Sequence, residues 1–353
     1  MSAGGYQGPP ELTVARAFTS WTLDLPVLAA VLLAAALYLA GVRRMRRTGG
    51  GWAPGRAAAF AGGLGVVVIA TMSFLGVYQG VLFYARAVQT VLLLLAAPLF
   101  LALGRPVSLL IGAAPRLGRR AEALVRGRPA RVLTFPAITA LAVVLVGFLL
   151  YFTPWYEAGL RSDPVRELTY LALLAPGWVF FWTLLRVDPV PRAYPYLVTM
   201  WVTGIEVVGD AILGLAIMAD QNLIAGSYYR ALGRPWGPSL RADQVIGGGA
   251  LWLIGDLIGL PFLAAMLILM MREDEREARA VDAELDAAEA RPGTAGPGHH
   301  PAGSGPGTAS SGQGTASSGQ GTAGSGQGTA GTAQPWWESD PRFAGRFRRP
   351  GGG

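Results

Sequence analysis

The stretch WVTGIEVVGDAILGLAIM, Trp201–Met218, decides the fold. It is apolar and long enough to lie in a bilayer as a helix, yet it carries Glu206 and Asp210 near its middle. Four residues apart, the two acids share one helix face. A charged side chain at the bilayer centre costs about 2.5–3.5 kcal/mol on insertion scales, so such a pair turns toward a bundle interior and away from lipid. A helix of this kind needs other helices around it.

Six further apolar windows of about 20 residues supply them. With the sixth they run over about 25–42, 57–77, 82–104, 133–153, 167–186, 195–219 and 246–271. The expected fold is all-α, a polytopic membrane protein with seven transmembrane helices over 25–271. A composition of 52% hydrophobic and 14% charged residues agrees with it. The segment RPVSLLIGAAP, 105–115, is apolar but too short to cross, and Pro106 and Pro115 bracket it, so it reads as a short interfacial element. Arginines in the connecting loops set the orientation: with the N-terminus outside, fourteen lie on the cytoplasmic side and six outside. N-out, C-in is expected.

Residues 1–24 then form an extracytoplasmic segment. They lack the basic start and small-residue cleavage pattern of a signal peptide, so the first helix is expected to remain as a span. After Met271 the sequence REDEREARAVDAELDAAEARPG reads as a cytoplasmic helical extension over 272–291. Repeats of SSGQGTA and GSGQGTA follow, and 292–353 is expected to be a disordered tail. Its aromatic and basic end holds Trp336, Trp337, Phe343 and Phe347.

Several chemistries are excluded. The chain has no cysteine, and its two histidines, His299 and His300, lie in the tail. Thiolate and imidazole ligands are therefore absent from the membrane part. No P-loop, GxGxxG after a strand or nucleophile elbow occurs, so the chain does not read as an enzyme. All 29 basic residues are arginine and the net charge is +7, but they cluster beside apolar windows, which speaks for membrane orientation and against nucleic acid.

The interior polar residues are few. Asp256 lies mid-way along the seventh window, at a depth similar to that of Asp210, and Arg86 and Gln89 lie three apart near the outer end of the third. One interior polar pocket of Glu206, Asp210, Asp256, Arg86 and Gln89 is expected in the outer half of the bundle. Acids so close in low dielectric need a bound cation, a pairing with Arg86, or a proton. Asp210 and Asp256 are the best candidates for a metal, and an oxygen-only set suits hard cations or protons better than copper. A hydrogen-bonded cluster that fixes helix packing is the other reading. In DQVIGGGALWLIGDLIGLP, 243–261, Asp243 is expected to cap the seventh helix, and Gly247, Gly248 and Gly249 to permit close backbone approach.

Several segments, in this order, carry a resemblance: LYLAGVRRMRR, WAPGRAAAFAGGL, AAPLFLALGRPVSLL, YFTPWYE, FFWTLLRVDPVP, DAILGLAIM, DQVIGGGALWLIGD and DEREAR. Over about 25–280 the chain resembles the seven-helix CtaG family of cytochrome c oxidase assembly factors of Gram-positive bacteria. The resemblance implies a multi-pass protein of the bacterial plasma membrane, with the lipid bilayer and oxidase subunits or other assembly factors as partners. It singles out Asp188, Asp243, Gln244, Gly248, Trp252 and Asp256 as motif positions. It also implies copper, held in the family by histidines within the membrane. Here Arg86, Gln89 and Thr90 stand at the third-helix positions, Asp210, Ala211 and Gly214 at the sixth, and Tyr170 and Ala172 near the fifth. The leading expectation is an assembly factor whose interior pocket has changed its ligand chemistry. Proton or cation translocation through the carboxylates, and a structural membrane scaffold, are the alternatives.

Overall fold

A computed structural model describes residues 6–190 and 194–289. The expected tail, 292–353, lies outside the described residues, whose regular elements are all helices, without a strand among them. In chain order the helices are α1 (Val14–Thr19), α2 (Leu25–Arg47), α3 (Pro54–Met72), α4 (Phe74–Tyr78) and α5 (Phe83–Val91). A π-helical turn, Leu92–Ala96, joins α5 to α6 (Ala97–Leu103), followed by α7 (Pro106–Ala113), α8 (Pro115–Arg126) and α9 (Arg128–Leu133). The rest are α10 (Pro136–Phe152), α11 (Trp155–Arg161), α12 (Asp163–Leu185), α13 (Tyr196–Ala219), α14 (Gly226–Leu232) and α15 (Leu240–Glu289).

Six of the described stretches are long and apolar enough to cross a membrane, and α10 with α11 makes a seventh if the bent pair is one span. The bend there is 67°. Pro154 has no N–H to continue the ladder, and Thr153 is extended. The hydroxyl of Thr153 accepts from the Trp155 N–H at 3.3 Å, which starts α11 in its new direction. The 105–115 segment forms the eight-residue α7, set off from α6 by Arg105 in the left-handed region at φ 54°.

Local chemistry sets the helix ends. Asp24 caps α2 through the Val27 N–H at 3.2 Å, Pro26 follows in its first turn, and Arg44, Arg46 and Arg47 face the negative end of its dipole. Much of α2 stays uncovered, with Leu32, Leu33 and Leu37 exposed, as suits a helix against hydrocarbon. The buried core lies between α5, the π turn, α10, α12 and α13, around Leu93, Leu95, Val143, Phe180 and Ile217. Within α12, Pro176 removes one backbone bond, and the next residue, Gly177, packs directly on the Leu94 carbonyl of the π turn.

The most extensive helix pairing is that of α13 with α15. A Cβ on Gly248 would lie 2.8 Å from the Gly214 carbonyl oxygen, and one on Gly214 would lie 2.7 Å from that of Gly248. Neither position has room for a side chain. The first turn of α15 also holds the end of α13. Gln244 Nε2 donates to the carbonyls of Ile217, Asp220 and Asn222 at 3.2, 3.3 and 3.1 Å, and its Oε1 accepts from the Ile224 N–H at 2.9 Å. Arg241 donates to the carbonyls of Met218 and Asp220, both at 2.6 Å. Together they satisfy carbonyls that the helix end leaves orphaned.

Gly248→Val forces α13 and α15 apart and is expected to cost about 1–3 kcal/mol. Gly249→Val, whose Cβ would meet only Met218 Sδ at 4.0 Å, is the near-neutral control. Thermal unfolding in detergent compares them, and equal melting of the two variants would remove the contact from the account.

Candidate functional site

The α13–α15 interface also carries the interior acids. Glu206 and Asp210, 2% and 8% exposed, project from successive turns of α13 toward α15. Opposite each stands a glycine: Asp210 Oδ2 lies 2.8 Å from the position a Cβ on Gly255 would take, and Glu206 Oε2 lies 3.8 Å from that of Gly259. The missing side chain of Gly255 is what leaves Asp210 room against the α15 backbone, whereas a Cβ on Gly259 would meet Val207 Cγ2 first, at 2.9 Å. Glu206 and Asp210 stand one helical turn apart on α13, and Asp256 follows Gly255 on the facing helix. Two oxygens of the group, Glu206 Oε1 and Asp256 Oδ1, are buried without a hydrogen-bond partner among the described residues. The trio does not form a metal shell either, for no group of three acids, histidines or cysteines among the described residues is placed to hold an ion.

Arg86 and Gln89 belong to different surroundings. Among the described residues Arg86 forms no ion pair with a carboxylate, so it does not supply the countercharge expected of it. Its guanidinium sits over the Tyr156 ring at 5.0 Å, Gly159 leaves it space, and Nη1 is buried without a partner. Tyr156 shares a hydrogen bond of 2.9 Å with the Tyr229 hydroxyl. Gln89 Nε2 donates to the Ala70 carbonyl at 2.8 Å and to the Tyr170 hydroxyl at 3.4 Å, which in turn donates to Gln79 Oε1 at 2.9 Å. Thr90 accepts from the Tyr151 hydroxyl at 3.1 Å. No hydrogen bond or ion pair among the described residues joins this arginine and tyrosine cluster to the three acids. Sequence reading had no means of finding Tyr151, Tyr156 and Tyr229, since nothing in their spacing marks them.

Gln79 also lies at the floor of a cavity of about 450 Å3 with a polar rim of Asp24, Asp163, Arg166 and Glu167. Hydropathy alone does not reveal it, because its rim lies at helix starts outside or at the edge of the apolar windows.

The motif positions act at helix ends and contacts. Asp188 accepts from the Val107 and Ser108 N–H groups at 3.2 and 2.9 Å and thereby caps α7. Asp243 does not cap α15, as expected from sequence. That helix starts earlier, at Leu240, and Ser239 accepts from the Ala242 N–H at 3.2 Å in that role. Asp243 reaches instead to α5, where Leu82 offers no side-chain cap, and accepts from the Tyr84 N–H at 3.0 Å. It also pairs with Arg234 at 3.2 Å, both side chains being almost fully buried, an ion pair that the sequence did not announce. Gln244 closes the end of α13, Gly248 makes the contact with Gly214, and Trp252 is 39% exposed with its Cβ beside Gly214.

Comparison with known proteins gives the following. The family model described as cytochrome c oxidase caa3 assembly factor (Caa3_CtaG) matches residues 36–273. An uncharacterised protein of Mycobacterium bovis is 29% identical over 291 residues, covering 80% of this chain and 44% of its own length. An uncharacterised protein of Mycobacterium leprae is 28% identical over 294 residues, covering 81% and 45%. The chain thus spans less than half the length of these relatives. No solved structure matches.

Asp243→Ala would leave Arg234 buried without its partner and the first turn of α5 uncapped. The expected loss is about 3–5 kcal/mol, read by thermal unfolding in detergent. Replacing both partners with apolar residues, Arg234→Met with Asp243→Leu, is expected to recover part of it. A single variant that melts like the wild type would show the pair to be dispensable.

Proposed function

Because the chain belongs to the cytochrome c oxidase caa3 assembly factor family, we propose that it is a non-enzymatic, multi-pass assembly factor of the bacterial plasma membrane. Its object is cytochrome c oxidase or a related respiratory complex, and its partners are oxidase subunits or other assembly factors. The observation that carries this reading is the family match, which extends from within α2 to within α15 and so takes in most of the apolar bundle.

The resemblance brings copper with it, and the interior does not fit copper. Glu206, Asp210 and Asp256 offer oxygen alone, whereas copper is held by imidazole, thioether or thiolate. The chain has no cysteine, and both histidines lie in the tail. What these carboxyls suit is a proton or a hard cation. Two orphaned oxygens, Glu206 Oε1 and Asp256 Oδ1, support that assignment, because a buried carboxyl oxygen without a partner leaves its desolvation uncompensated. The same two oxygens favour a second reading, proton or cation translocation through the acids.

A strain lacking this protein is expected to lose cytochrome c oxidase activity and the haem-copper spectrum, with both restored by the wild-type chain. Unchanged oxidase levels would overturn the assembly reading. Untagged, full-length protein with His299→Ala and His300→Ala is expected to carry no stoichiometric copper. Copper bound one to one, and lost in both Asp210→Asn and Asp256→Asn, would overturn the oxygen-ligand assignment. Flux in proteoliposomes that disappears in the two Asn variants would select translocation.

A further inference from the structure

At the arginine-rich end of the bundle, α2, α7 and α8 border two adjoining cavities that share Leu117. The first, about 530 Å3, lies within the usual range for small-molecule pockets, about 300–1,000 Å3. Leu37, Gly41, Leu109 and Leu117 are among its lining, and Arg44 is the charged residue among them. Its floor offers no free polar group. The Tyr38 hydroxyl donates to the Gly104 carbonyl at 2.7 Å and accepts from Trp52 Nε1 at 3.1 Å. Gly41 lets α2 approach Leu109, whose Cγ would lie 3.0 Å from a Cβ there. The second cavity, about 640 Å3, is bordered by Arg116, Arg119 and Arg120 without an acid.

Among the described residues none of these four arginines forms an ion pair, and all are exposed. On α8, Arg116, Arg119, Arg120 and Ala123 follow the spacing of one helix face. An apolar groove running into unpaired guanidinium groups selects an amphiphile with an alkyl chain and an anionic head. Arginine binds phosphate oxygens through paired N–H groups, and basic sites between membrane helices take anionic lipid heads. The exposed flank of α2 opens the groove to hydrocarbon. A second copy of this chain docked by symmetry would bring like charges against these.

We propose that this groove binds one anionic phospholipid, with an acyl chain against α2 and α7 and its phosphate on Arg44, Arg116, Arg119 and Arg120. The site is independent of the interior acids and of the assembly reading. Native mass spectrometry of the full chain, released from membranes holding equal phosphatidylglycerol and phosphatidylcholine, tests it. The wild type is expected to retain one phosphatidylglycerol in a preference of about tenfold or more, since a single arginine near an anionic head contributes about fivefold and the site holds four. Changing all four arginines to Gln is expected to bring the two lipids to parity, and changing them to Lys to keep most of the preference. Ala40→Trp, at an exposed position in the groove lining, is expected to reduce retention of both lipids. Parity in the wild type, undiminished phosphatidylglycerol in the Gln variant, or a lipid-free dimer would each overturn the proposal. Should the Gln variant fail to fold, unchanged retention by Ala40→Trp would overturn it alone.

Discussion

The rest of the structure depends on the backbone contact between α13 and α15. Between membrane helices there is no hydrophobic driving force of the kind that folds soluble cores, so association rests on close packing and interhelical hydrogen bonds. Gly214 against Gly248 supplies the first, and the Gln244 and Arg241 side chains on the end of α13 supply the second. Once these fix the register, Glu206 and Asp210 fall opposite Gly259 and Gly255. A pair of carboxyls that would be unaffordable against lipid is thereby enclosed by helix backbone. Asp210 occupies space that Gly255 leaves, so pocket and packing arise from one set of residues.

That dependence recasts the motif positions. Asp188, Asp243 and Gln244 each satisfy backbone groups that a different helix leaves orphaned, at α7, α5 and α13. These are scaffold duties. A chain can keep all three while the residues at the interior positions change, and this one places Asp210 where the resemblance expects an imidazole. The ordered segments report on the architecture and the family, and two of them, DAILGLAIM and DQVIGGGALWLIGD, also carry the interior acids Asp210 and Asp256.

The same division explains what the sequence made legible. The spans could be read because hydropathy is a property of consecutive residues, and the shared face of Glu206 and Asp210 because four residues make about one helical turn. The bend between α10 and α11 has a local cause in Pro154, which lies just past the 133–153 window, so hydropathy ends the span there and gives no sign of the helix that follows at an angle. Asp243 was placed on the wrong helix end because its partner, the Tyr84 N–H, lies 159 residues away and no local signal links them. Arg234 looked like one loop arginine among several, although its side chain is 2% exposed beside Asp243. Arg86 was read with the acids from depth alone, and depth says nothing of the side of a helix on which a residue lies.

The separation of Arg86 from the carboxyls carries the last step. Had the arginine paired with them, it would have balanced one of the three carboxyls and left two without a countercharge. Instead the cation rests on the face of Tyr156, where the ring quadrupole and neighbouring hydroxyl dipoles offset part of its desolvation. The acids, lacking any such partner among the described residues, must meet their charge by other means. A low-dielectric site with orphaned carboxyl oxygens and no fixed countercharge leaves part of its desolvation cost uncompensated. Asp210 fits the space that Gly255 leaves, and the proton or hard cation proposed for the pocket is one way to compensate a carboxyl buried without a cationic partner.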